Sequence, residues 1–163
     1  MLKYINAVLM VVVFLLLLGL FYLFTNKDNL VSTTWVCDQI KSGFISKSYT
    51  KYSHISESMI LTFSSKRSFL INEFIQAQEG DDEYKLMELY YEGDYIQTRE
   101  HLTLNFNRVR ILKEHDDPNL NKAYKDYEGY SIYYRYKRID NRLYFFTDSK
   151  NEAFDMVCYT DKQ

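Results

Sequence analysis

Two hydrophobic patterns divide this chain. From Ala7 to Phe24, AVLMVVVFLLLLGLFYLF, no residue is charged and no polar stripe interrupts the run. That predicts a helix apolar on every side, not an amphipathic one. At 1.5 Å per residue a helix of that length spans roughly 27 Å, close to the hydrocarbon thickness of a bilayer. Beyond Thr33 the pattern becomes alternation. In MILTFSSKRSFLINEFI, Met59, Leu61 and Phe63 share one side of a strand, and Phe69 and Ile71 continue that side after a turn at Ser65-Lys66. HLTLNFNRVRIL sets Leu102, Leu104 and Phe106 on one face. In YSIYYRYKRIDNRLYFFTD two aromatic-rich runs flank Asp140-Asn141, residues that tolerate the positive φ of a two-residue turn. TTWVCD and AFDMVCYT supply a first and a last strand.

Other stretches are less regular. YKLMELYYEGDYIQT begins with helix-forming residues, and its second half, Tyr90 to Thr98, reads as a strand with a bulge near Gly93. Gln39 to Ser58 is polar and fits a loop, a short helix or an irregular strand. QAQEGDDE is a charged loop broken at Gly80, and KEHDDPN a turn at Asp117-Pro118.

These segments make about eight strands in hairpin order, with no long amphipathic helix between them. Such a meander buries its edges by closing into an antiparallel up-and-down β-barrel. The first and last strands then become neighbours, and Leu61, Phe69, Leu104 and Phe145 face the interior. A β-sandwich is the alternative; it fits less well because Trp35 precedes the first cysteine and the cysteines are too widely spaced. The expected organisation is a cytoplasmic N-terminus (1–6), a transmembrane helix (7–24), a tether (25–32) and an all-β barrel domain (33–163).

Across residues 33–160, the tryptophan of TTWVCD followed by LTFSSKRSFLI, YEGDYIQTREHLTLNF and IDNRLYFFTD resembles small bacterial lipocalin-like, calycin-type barrel domains. The resemblance implies a short barrel whose closed end is plugged by Trp35, and a small apolar ligand. The sequence departs from that group at Thr33, where lipocalins carry a glycine, and no partner arginine follows the last-but-one strand.

The leading MLKYIN carries Lys3 and the α-amino group without an acid, whereas Lys27 and Asp28 cancel on the far flank. The positive-inside tendency places the N-terminus in the cytoplasm and the domain in the periplasm of a bacterial inner membrane, with Phe21 and Tyr22 at the interface. In an oxidising compartment the chain's 2 cysteines, Cys37 and Cys158, are expected to form a disulfide that staples the first strand to the last. Their spacing matches no zinc motif, so no metal is implied.

Beyond the apolar segment, 19 basic side chains (the chain's 20 less Lys3) face 22 acidic ones, which gives no basic face for nucleic acid. His54, His101 and His115 lie in polar stretches and are expected at the surface. The acidic groups at Asp81-Asp82-Glu83 and Asp116-Asp117 lack calcium-loop spacing. No G-x-S-x-G and no glycine-rich phosphate loop occur. Neither an enzyme nor a cofactor is therefore expected. The most suggestive feature is YEGYSIYYRYKR, in which alternation sends Tyr134 and Tyr136 to the face opposite Tyr133 and Arg135. Tyrosine and arginine anchor protein interfaces, so Tyr130, Tyr133, Tyr134, Arg135, Tyr136 and Arg138 are interface candidates. The expected function is a membrane-anchored periplasmic binding protein without catalysis, most concretely an immunity protein that binds a periplasm-acting toxin. The alternatives are a lipocalin-like carrier or sensor of a small apolar ligand, and an accessory subunit of an envelope complex.

Overall fold

The structure is a computed structural model that describes residues 2–26, 29–40, 51–146 and 155–160. Helix α1 (Leu2–Asn26) is followed by strands β1 (Thr33–Ile40), β2 (His54–Phe63), β3 (Ser68–Gln78), β4 (Lys85–Gln97) and β5 (His101–Lys113). A short helix α2 (Pro118–Lys125) leads into β6 (Ser131–Ile139), β7 (Arg142–Phe146) and β8 (Met156–Thr160). The eight strands form one closed antiparallel barrel in sequence order, sealed where β1 pairs with β8.

Period-two alternation decides what the barrel holds. On β3 the side chains of Phe69, Ile71, Glu73, Ile75 and Ala77 are buried, and every second neighbour is half-buried or exposed. β4 keeps the same alternation through Met87, Leu89, Tyr91, Gly93 and Tyr95. The helix-like first half of that segment is therefore strand, because pairing to β3 on one side and β5 on the other overrides local propensity. The β4–β5 register shifts at Glu88/Leu89 and at Glu92/Gly93, a pair of irregularities that bend the sheet toward closure. The polar stretch before Ser58 ends in strand, since β2 begins at His54; residues 41–50 lie outside the described set.

The two ends of the barrel differ. At one, Trp35 and Leu30 are fully buried. The indole Nε1–H donates to Thr33 Oγ1 at 2.8 Å, and the Arg138 guanidinium lies 5.2 Å from the ring centroid while donating to the Asn29 carbonyl at 3.1 Å. The cation over the tryptophan thus comes from β6. The tight β2–β3, β4–β5 and β6–β7 turns lie at this end, with the Asp140 turn at φ 53°. At the other end α2 lies across the barrel, burying Leu120 and Tyr124. The sequence reading had only a turn there. Asp117 caps α2 by accepting from Asn119 N at 3.0 Å, and Pro118 opens it.

Cys37 and Cys158 stand directly opposite each other on β1 and β8 and form the expected disulfide. Among the described residues no helix is long and apolar enough to cross a membrane. The side chains described in α1 are Tyr4 and those of residues 8–20, all of them exposed.

Candidate functional site: a carboxyl pair in an aromatic cavity

Two acids occur where alternation puts core residues. Glu57 on β2 has the parity of Met59, Leu61 and Phe63, and Glu73 on β3 has that of Phe69, Ile71 and Ile75. Because Glu57 pairs with Ile75 and Met59 with Glu73, the carboxyls are diagonal neighbours on the inner wall. Glu73 is 7 % exposed and accepts from the Tyr91 hydroxyl at 2.5 Å through Oε2. Its Oε1 has no hydrogen-bond partner among the described residues. Glu57 accepts from the Tyr124 hydroxyl at 3.1 Å, a side chain delivered from above by α2.

Burial governs the protonation of this pair. It pushes the Glu57 carboxyl up to about 7. It pushes Glu73 up to about 8, assisted by the charge of Glu57 and opposed by the hydrogen bond from Tyr91. Tyr91, Tyr124 and Tyr134 are also raised, chiefly by burial, and Tyr127 is raised to about 12 for the same reason.

The groups surround a cavity of about 40 Å³. At the 10–15 Å³ one water needs, it holds about three water-sized bodies. Met59, Leu61, Ile71 and Leu104 form its apolar floor, while Tyr91, Phe106, Tyr124, Tyr127 and Tyr134 wall it with rings. Half-buried Glu57, Tyr127 and Ile132 form its rim at the α2 end. Among the described residues no lysine, arginine or histidine lines it. α2 is fastened over it through Asp117, which pairs with Lys51 Nζ at 2.9 Å and accepts from the Tyr52 hydroxyl at 3.1 Å. The hydrogen bond from Lys51 holds the Asp117 carboxyl down to about 2.

Of the residues expected to line the interior, Leu61 and Leu104 line the cavity. Phe69 and Phe145 are fully buried beside it, edge-on to Phe106 at 5.4 Å and to Tyr134 at 5.3 Å. The interface candidates divide by parity. Tyr130 and Tyr133 are 62 % and 56 % exposed. Tyr134 and Tyr136 are buried, a correction to their place on an interface: Tyr134 pairs with Leu102 on the inner face, and the Tyr136 hydroxyl bonds Gln97 and Thr98. Arg135 and Arg138 are half-buried, covering the rings of Phe146 and Trp35.

His115 also departs from expectation. It is only 7 % exposed, its Nδ1 accepts from Asp117 N–H, and its Nε2 has no hydrogen-bond partner among the described residues. His54 is exposed, and His101 stacks on Tyr133 at 5.0 Å. Among the described residues no group of three or more His, Cys, Asp or Glu side chains is placed to hold a metal. Glu57, Glu73, Tyr91 and Tyr124 were not singled out from the sequence, although the parity of both acids along their strands marks them as inward.

Fold and site together define a class: an all-β, eight-stranded up-and-down barrel, consistent with a lipocalin-like fold, closed by a disulfide and holding a small acid-bearing aromatic cavity. No protein-family model matches the chain, and no curated protein matches it.

Proposed function

We propose that this is a membrane-anchored binding protein without catalysis, and that its receptive site is the cavity beneath α2. The observation that carries this reading is the Glu57–Glu73 pair. Burying a carboxyl costs stability, and an apolar residue of similar size would fill the barrel better. A fold that keeps two such groups beside unfilled space is shaped for a ligand more than for stability. The cavity holds about three water-sized bodies, so the ligand is small. This narrows the lipocalin-like carrier reading, because a long apolar chain exceeds that space.

The anchor is supported by the uncharged run from Ala7 to Phe24 and by the charge of the barrel end to which α1 is joined. Lys66, Arg67, Arg99, Lys137 and Arg142 stand exposed there, against Asp94, Glu100 and Asp140. The α2 end exposes Glu79, Asp81, Asp82, Glu83, Glu114, Asp116, Asp126 and Glu128, against Lys51, Lys85, Lys113, Lys122 and Lys125, which leaves it with an acidic excess. A cationic end beside the anchor suits anionic headgroups, and it turns the cavity away from the bilayer. The seam disulfide favours the periplasmic side. A second reading, an immunity protein that docks a periplasm-acting toxin, is favoured by the exposed rings of Tyr130 and Tyr133.

Native mass spectrometry of the full chain, purified in detergent from its own membrane, tests the first reading. A small molecule released on unfolding, and lost in Leu104→Trp, is expected. A mass equal to that of the bare chain in both proteins would count against it.

A further inference from the structure

We propose that the Glu57–Glu73 cavity binds a small organic cation, a protonated amine of two to four heavy atoms. This rests on the cavity being the receptive site and specifies the chemistry it takes.

Four observations converge on a cation. The cavity carries two carboxyl groups and, among the described residues, no protein cation. A neutral apolar ligand would leave those groups without purpose, whereas an ammonium would complete them. Glu73, nine-tenths buried, lines the cavity with Oε1 free of any described partner, while Oε2 is held by Tyr91; one acceptor is fixed in place and unused. The remaining wall is aromatic. Tyr91, Phe106, Tyr124, Tyr127 and Tyr134 offer ring faces and edges around the carboxyls, and desolvated cation–π contacts favour ammonium groups. The volume of about 40 Å³ admits methylammonium or ethylammonium and excludes long-chain amines, unless α2 moves.

The exchange balances in charge. The amine enters as R–NH3+, Glu73 gives its carboxyl proton to water, and the carboxylate formed accepts an N–H from the ammonium. One proton leaves for each cation bound, so the cavity's net charge does not change. The groups facing Glu73 are Glu57 from β2, Tyr91 from β4, Tyr124 from α2, Tyr127 beyond it and Tyr134 from β6. All of these tyrosines stay neutral well above pH 8, which leaves the two carboxyls to set the pH dependence.

Isothermal titration of the full chain in detergent micelles with methylammonium chloride, with methanol and potassium chloride as comparisons, tests this. Saturable binding of methylammonium alone is expected. The affinity should rise about tenfold per pH unit between pH 6 and pH 7 and level off above pH 8. Buffers of different ionisation enthalpy should report one proton released per site. Glu73→Gln should weaken binding at least tenfold and flatten the pH profile. Should that variant fail to fold, Tyr127→Leu at the rim should weaken binding several-fold with the barrel intact by circular dichroism. No saturable heat with methylammonium, or equal binding of methanol or potassium, would overturn the proposal. If native mass spectrometry meanwhile shows a retained neutral molecule, the cavity remains the receptive site and only the cationic chemistry falls.

Discussion

Glu73 is held in place by one hydrogen bond and a wall of apolar and aromatic side chains, and this makes the stability of the barrel depend on pH in a defined direction. The folded carboxyls of Glu57 and Glu73 keep their protons to about 7 and about 8, whereas an ordinary glutamate releases its proton near 4.5. Between those values the folded chain binds more protons than the unfolded one, so stability falls as pH rises. Urea unfolding of the full chain should show a loss of about 6 kcal/mol from pH 5 to pH 8, less what His115 returns. Glu73→Gln keeps an acceptor for Tyr91 and should remove about half of that slope. Comparing wild type with this variant isolates the carboxyl from His115, whose pKa is lowered by burial and acts in the opposite direction. Asp117 acts elsewhere: its depressed pKa adds stability that is lost only as pH falls from 3.8 toward about 2. An identical slope in both proteins would show that Glu73 does not titrate in the folded barrel above its ordinary range.

Among the elements, the β4–β5 pair depends on Gly93. A Cβ at Gly93 would collide with the Asn105 carbonyl and come within 2.7 Å of Phe69 Cε1, and neither the sheet backbone nor a fully buried ring can give way. Gly93→Ala should therefore cost about 2–4 kcal/mol in the same unfolding assay; a loss below about 0.5 kcal/mol would show that the bulge accommodates a side chain. The bulge itself was legible in the sequence as a glycine inside a strand pattern. So were the turns at Ser65-Lys66 and Asp140-Asn141, each a local signal, and the pairing of the two cysteine strands, which follows from closing a meander of hairpins that carries one cysteine at each end. Lys85 to Leu89 misled because its residues favour a helix when taken alone, and only pairing on both sides makes them strand. α2 was hidden by its shortness, although Asp117 and Pro118 are an N-cap and an N1 residue. Alternation separated Tyr133 from Tyr134, but tyrosine suits either face, and the pairing of Tyr134 with Leu102 is what turns it inward. The two acids were missed for the opposite reason: their inward parity was legible, but their charge argued for solvent.

For the whole molecule, closure depends on one seam. The disulfide joins residues 121 apart at the β1–β8 junction. Opening it by Cys37→Ala with Cys158→Ala should cost about 2–5 kcal/mol of stability, read as a lower urea midpoint. No change in midpoint would mean that strand pairing alone closes the barrel. Charge polarity is the other global property, with a small excess of exposed cations at the end joined to α1 and of exposed acids at the α2 end. Reversing Lys66, Arg67 and Lys137 to Glu should weaken protection of the Trp35 end against amide exchange in vesicles containing anionic lipid, and leave it unchanged in neutral vesicles. Equal protection in both vesicle types would remove the headgroup contact. Above all these stands the state of the two buried acids. Carbon-13 NMR of glutamate side-chain carboxyls in the full chain reads it directly. Two signals with apparent midpoints of about 7 and about 8, both displaced by methylammonium at neutral pH, are predicted. A spectrum in which every glutamate titrates below about pH 5 would contradict the account.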